Sequence, residues 1–156
     1  SARIFLERRG EFLRLRAEVT DDLPVQTNSG ESIWRGDSVQ FGLALPGQKG
    51  FWSIGFARRD DGGTEVFCWS RPEGFADPSS AVRVNARRDD GSRRTLYEAL
   101  LPFAALGMTR EIAGNGFRFN LIVNDNDGKL REGYLAAAPG MGTGEDPSLW
   151  KVLQLE

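Results

Sequence analysis

Ile33-Trp34-Arg35-Gly36-Asp37-Ser38-Val39-Gln40-Phe41-Gly42-Leu43-Ala44-Leu45 is the stretch on which the reading turns. From Asp37 onward the apolar side chains recur at every second position. Val39, Phe41, Leu43 and Leu45 share one side, and Ser38, Gln40, Gly42 and Ala44 the other. A period of two is that of a half-buried β-strand. Trp34 precedes this strand inside a polar segment. An indole at a strand mouth, beside a polar strand face, suits a ring-shaped polar ligand such as a sugar. Sugar rings offer C–H faces to an aromatic and hydroxyls to amides, carboxylates and arginine. The same tryptophan can instead plug the end of a sandwich core, because indoles are mostly buried in proteins. The segment alone leaves both readings open.

The same period recurs in both directions. Ile4-Phe5-Leu6 turns at Arg9-Gly10 into Phe12–Val19, with Leu13, Leu15, Ala17 and Val19 as the core face. Further strands are expected at Phe51–Phe56, Thr64–Trp69, Ala81–Arg87, Thr95–Leu101, Phe117–Asn124, Leu130–Ala137 and Leu149–Leu155. Asp60-Asp61-Gly62-Gly63 and Asp89-Asp90-Gly91-Ser92 mark hairpin turns. Only Pro102–Met108 reads as helical, with proline at its start and Gly107 near its end. Many short strands divided by turn residues predict an all-β, antiparallel β-sandwich with one short helical turn. The long segments Asp21–Gly36 and Ala138–Pro147 are the candidates for functional loops.

The chain of 156 residues suits one domain, residues 1–156, with a real core. It begins Ser1-Ala2-Arg3 without methionine, which reads as a segment cut from a larger multi-modular protein. A net charge of -2 gives no case for nucleic acid or an anionic membrane as partner. The pairs Arg8-Arg9, Arg58-Arg59, Arg87-Arg88 and Arg93-Arg94 are diluted by nearby acids and read as solvated turns and strand ends. No run of apolar residues reaches the length of a membrane span. Histidine is absent, which excludes Ser-His-Asp and Cys-His catalysis and histidine-ligated zinc or haem. The single cysteine, Cys68, lies between Phe67 and Trp69 and reads as a buried apolar thiol.

Of the four tryptophans, Trp34 is the best candidate ligand platform. Trp52 and Trp69 sit in strand patterns where packing is the default, and Trp150 reads as a sandwich-edge residue. Asn124-Asp125-Asn126-Asp127-Gly128 ends a strong core strand. Its residues are what a tight turn needs, yet Asn124 shares the polar side with Arg118 and Asn120, and Arg131 follows the turn. That grouping would bind hydroxyls. Asp21 and Asp22, like Asp125 and Asp127, offer hard oxygen ligands for a structural calcium, although neither loop has twelve-residue calcium-loop spacing. No pair of glutamates is placed across a cleft by sequence, so no catalytic residues are assigned and the chain reads as a non-enzyme.

Three segments together resemble the family 9 carbohydrate-binding modules and their wider DOMON-like relatives. They are Leu13–Asp22 followed by Ile33–Phe41, then Leu96–Phe103, then Phe119–Asp125 with Asp146-Pro147-Ser148 before the closing strand. The resemblance implies a non-catalytic β-sandwich that binds a polysaccharide or oligosaccharide and targets a catalytic module in the same polypeptide, in an extracellular or periplasmic setting. It implies no required cofactor. Trp34 holds the position of one wall of an aromatic clamp, and the polar contacts would fall near Gln40, Asn124, Asp125 and Arg131. The chain departs from the family where a second clamp tryptophan is expected, having Gly142-Thr143-Gly144-Glu145 there. It also has Gln40 in place of a carboxylate and Ile122 in place of an amide, and it lacks the family's opening strand upstream of Arg3. Those departures keep a second function open: a structural domain that packs against a glycoside hydrolase or lyase module without binding sugar. Haem binding, known among DOMON domains, lacks support because Met108 and Met141 have no histidine partner.

Overall fold

Alternation in the sequence becomes two antiparallel sheets packed face to face. The structure, a computed structural model, describes residues 1–128 and 130–156. One sheet contains β1 (Ala2–Arg9), β2 (Phe12–Thr20), β6 (Arg83–Asp89) and β7 (Arg94–Pro102), in the order β1-β2-β7-β6. The other contains β3 (Ser38–Ala44), β4 (Trp52–Arg58), β5 (Thr64–Ser70), β8 (Phe117–Asp125), β9 (Gly133–Ala136) and β10 (Lys151–Leu153). Its order is β10-β8-β3-β4-β5, and β9 pairs with the other end of the same β8 edge. Every pairing is antiparallel.

The core lies between the sheets. Leu13, Leu15 and Ala17 from β2 and Ala99 and Leu101 from β7 meet Val39, Phe41 and Leu43 from β3, Ile54 and Phe56 from β4, and Leu121 from β8. For β2 and β3 these are the residues whose period of two assigned them inward. Trp52 is fully buried in this core, and its indole nitrogen donates to the Leu106 carbonyl (3.2 Å). Cys68 packs against the same cluster, and burial pushes its thiol up to about 11.

Three local elements differ from the expectation. The helical turn after Pro102 is α1 (Phe103–Leu106), closed by Gly107 at φ 67, but a second helix follows, α2 (Arg110–Asn115). Thr109 caps α2 by accepting from the Ile112 amide (3.1 Å). Gly114 and Gly116 hide this helix from a propensity reading. It is held instead by tertiary contacts, with Ala113 buried and its carbonyl accepting from the Leu155 amide (2.8 Å). The closing strand is only Lys151–Leu153, because Asp146 caps a 3₁₀ turn over Pro147–Leu149. Trp34 sits in a 3₁₀ turn, Gly30–Arg35, rather than in irregular loop. Among the described residues no helix is long and apolar enough to cross a membrane.

Candidate functional site: an aromatic-walled hollow on the outer face of the six-stranded sheet

Part of this outer face is covered and part is left open. The cover is the segment from Ala137 to Trp150. Asn120, on the outward side of β8 and fully buried, donates to the carbonyls of Ala138 (2.9 Å) and Pro139 (2.8 Å) and accepts from the amides of Leu121 and Ala138. Trp150 lies over Gly42, where any Cβ would overlap its ring, and donates to the Gly140 carbonyl (2.7 Å). Ile122, Met141 and Trp150 form a small apolar cluster there, edged by Phe51 and Tyr134. So pinned, the segment carries Gly142, Gly144 and Glu145 to the rim of a hollow of about 310 Å³. Its other lining residues are Trp34, Gln40, Trp69 and Arg131. The volume falls at the small end of the range for small-ligand clefts, about 300–1,000 Å³.

Trp34 is fixed through the backbone on either side of it. Gln26, buried at 3 % exposure, donates to the carbonyls of Ile33 (2.8 Å) and Asp37 (3.0 Å). Gly36 leaves the room that the Gln26 amide occupies. Asn126, equally buried, donates from its side chain to the Arg35 carbonyl (2.8 Å). Buried amides satisfied in this way are rigid supports.

Trp69 forms a second wall. In the pairing of β5 with β4, Ile54 faces Cys68 but Ser53 faces Ser70, so Trp69 is the extra residue of a β-bulge. Bulges re-aim side chains, often beside functional sites. The Trp69 ring lies over Gly55, where a Cβ would come within 2.5 Å of it, and its indole nitrogen donates to the Glu31 carbonyl (3.0 Å). Phe67 packs beside it, with ring centroids 5.3 Å apart.

The floor is polar. Gln40 donates to Ser53 Oγ (3.2 Å) and Glu145 Oε1 (3.3 Å), and the Ser53 hydroxyl donates to the same carboxylate oxygen. Arg131 donates to Asn124 Oδ1 (3.1 Å) and the Gly142 carbonyl (3.2 Å), with its guanidinium 5.2 Å from the Trp34 ring and 4.9 Å from the Tyr134 ring. Cation–π contact and two hydrogen bonds hold that fork in place. The hollow thus presents arginine donors, carboxylate and amide acceptors, and two indoles. Among the described residues, Glu145 is the single carboxylate in its lining.

Of the residues singled out from sequence, Trp34, Gln40 and Arg131 line this hollow together. Asn124 stands one step behind, 1 % exposed, orienting Arg131 and donating to Ser38 Oγ (3.0 Å). Asp125 does not join them. It shares the parity of the inward Val123 rather than of Asn124, and a one-residue offset on a strand is a change of face. Its carboxylate gathers with those of Asp21 and Asp127, all within 4.8 Å of one another. Asp22 is exposed and outside that trio. Ser53 and Glu145 escaped the sequence reading, and Trp69, weighed there as a platform but read as strand packing, lines the hollow. Gly55, inside a strand and small enough for an indole to cover, is the signal that could have singled out Trp69.

The acidic trio has the hard-oxygen chemistry that calcium prefers. Burial first, then the charges of Asp21 and Asp127, push the Asp125 carboxyl up. Asp37, next to this corner, accepts from the amides of Val25 (2.6 Å) and Asn126 (2.9 Å). Burial nevertheless raises it to about 7, with Asp21 adding to the shift.

No protein-family model matches the chain, and no curated protein matches its sequence. Solved structures do match it. A family 9 carbohydrate-binding module from Caldicellulosiruptor kristjanssonii in complex with cellotriose superposes with a TM-score of 0.73 at 18% identity, covering 99% of this chain and 74% of the other. The same organism's family 9 module in complex with glucose gives a TM-score of 0.72 at 16% identity, covering 99% and 76%. The two-sheet body around the hollow therefore has the fold of the family 9 carbohydrate-binding modules.

Proposed function

We propose that this chain is a non-catalytic carbohydrate-binding module whose hollow takes a ring of an oligosaccharide or polysaccharide between Trp34 and Trp69. The observation that carries the reading is the pairing of two indoles over a floor of Gln40, Ser53, Glu145 and Arg131. Indoles cover the C–H faces of a sugar, while the amide, carboxylate and guanidinium meet its hydroxyls. Each such hydrogen bond adds about 0.5–1.5 kcal/mol, so affinity for one free ring is modest. The solved neighbours that hold glucose and cellotriose support the same ligand class. A lone carboxylate favours binding over hydrolysis, since glycosidases generally use two facing carboxyls. In the setting this implies, the module delivers an attached carbohydrate-active enzyme to its polymer outside the cytoplasm. A calcium ion held by Asp21, Asp125 and Asp127 would brace the loops around Asn126 without entering the hollow.

Isothermal titration and affinity electrophoresis against soluble glucans, xylans and mannans test this. Trp34→Ala and Trp69→Ala are each expected to weaken binding by about 1–3 kcal/mol, on the scale of aromatic stacking on a ring. Equal affinity for every glycan in both variants would remove the hollow as the binding site. Absence of binding together with association with a catalytic module would favour the structural alternative.

A further inference from the structure

The outer face of the four-stranded sheet carries a second surface, which the hollow does not use. Register places its outward residues in rows across the strands. One row is Arg3, Glu18, Leu96 and Arg87. The next is Phe5, Arg16, Glu98 and Asn85, and the third is Glu7, Arg14, Leu100 and Arg83. Arg9 ends the β1 side. The central charges are spoken for: Arg14 pairs with Glu7 (2.6 Å) and with Glu98, and Arg16 with Glu18 (3.7 Å). Among the described residues, Arg3, Arg9, Arg83 and Arg87 have no acidic partner, and all four are exposed. With Arg94 and Asp89, which lie on the same side of β7 and β6, seven arginines face four acids here, on a chain whose net charge is -2. The surplus positive charge is concentrated on this face.

We infer that this face binds a carboxylate-bearing polysaccharide, a polyuronate in chemical class, along its two arginine-lined edges. Three observations choose that occupant. The first is charge complementarity, with planar guanidinium forks suited to bidentate carboxylate contact. The second is spacing. Arg83 and Arg87 are four residues apart on one strand, about 13 Å, and Arg3 and Arg87 end a row three strand-spacings wide, about 14 Å. So sparse a lattice matches a polymer with one carboxylate per ring better than a duplex with a charge every 1.7 Å or so. The third is Phe5, 43 % exposed on the edge strand β1 between Arg3 and Glu7, with the Arg16 guanidinium 4.2 Å from its ring centroid. The part of this ring that Arg16 leaves open offers apolar contact to a sugar's C–H groups beside a guanidinium. At the β6–β7 end, a hollow of about 450 Å³ lined by Arg87, Arg94 and Leu96, with Asp89 as the one acid in its wall among the described residues, extends the same surface. The proposal stands apart from the hollow on the other sheet, and the two fail separately.

The test is elution from immobilised polygalacturonate in a salt gradient, with duplex DNA and a neutral glucan as competitors. The intact chain is expected to be retained at low salt and released by free polygalacturonate but not by the glucan. The double variant Arg83→Glu/Arg87→Glu is expected to bind about tenfold more weakly. Arg83→Ala/Arg87→Ala should fall between, with an unchanged melting temperature because these side chains are exposed. Trp34→Ala should elute as the parent does. Unchanged elution of the charge-reversed variant, or loss of retention in Trp34→Ala, overturns the proposal. So does stronger competition by DNA than by polygalacturonate. A concentration-dependent dimer in sedimentation, abolished by Arg83→Glu/Arg87→Glu, would overturn it in favour of a second copy of this chain.

Discussion

Across β3 and β4 the outward positions hold Gln40, Gly42, Ser53 and Gly55, whereas across β2 and β7 they hold Arg14, Arg16, Leu96, Glu98 and Leu100. Both sheets bury the same kind of inner face, and their outer faces diverge. On the six-stranded sheet the small residues let Trp150 and Trp69 lie directly on the backbone, so that Ser53, Asn120 and Ile122 are fully covered. On the four-stranded sheet long charged side chains stand in water and pair with each other. A sheet face becomes a shaped site when missing side chains admit aromatic rings from other segments. Where long side chains, most of them charged, fill the outward positions, the face remains an electrostatic surface.

The sharpest way to break this contrast is to give the glycines side chains. Gly42→Val and Gly55→Val would drive a branched Cβ into an indole and should each cost about 1–3 kcal/mol of stability in urea unfolding. Gly55→Val should also displace Trp69 and abolish measurable sugar binding. By comparison, Arg83→Ala on the opposite face should change stability by no more than about 0.5 kcal/mol. Equal effects on the two faces would show that the indoles are not seated as described.

A smaller effect is expected behind the wall. Asn126→Ala removes the donor that holds the Arg35 carbonyl, a hydrogen-bond loss of about 1–2 kcal/mol. Because that carbonyl flanks Trp34, near-UV circular dichroism of the indoles should change and sugar affinity should fall. Stability loss without any change in the indole spectrum would detach Asn126 from the site.

A pH-dependent effect concerns the acidic corner beside it. Burial raises Asp37 and Asp125, so the folded chain holds protons that the unfolded chain releases. Stability from these groups is therefore greatest below the unfolded value of 3.8 and declines as pH rises toward about 7, the folded value of Asp37. A bound cation favours the ionised carboxylates, so millimolar calcium should flatten that decline, and Asp127→Asn should remove the calcium effect. Urea midpoints across this range, with calcium and with a chelator, measure both. Identical curves would leave the trio without a cation.

The sandwich was readable because alternation is a local property. Leu13-Leu15-Ala17, Val39-Phe41-Leu43 and Phe117-Phe119-Leu121-Val123 each announce their buried side within a few residues. α2 was not, since its six residues include a glycine and depend on docking against the C-terminal segment. In the site, the alternation that placed Asn124 outward also placed Asp125 inward, so the chain itself carried that distinction. Trp69 was harder, because a bulge changes the aim of a side chain without changing its residue type.

Strand spacing, the choice of inner face, the absence of histidine chemistry and the candidacy of Trp34 all follow from the order of residues, since each depends on neighbours a few positions apart. The meeting of Trp34 with Trp69, of Glu145 with Gln40 and Ser53, and of Asp21 with Asp125 joins segments far apart along the chain. Those encounters depend on strand register and on which loop folds back over which glycine, quantities that exist only once the two sheets have formed.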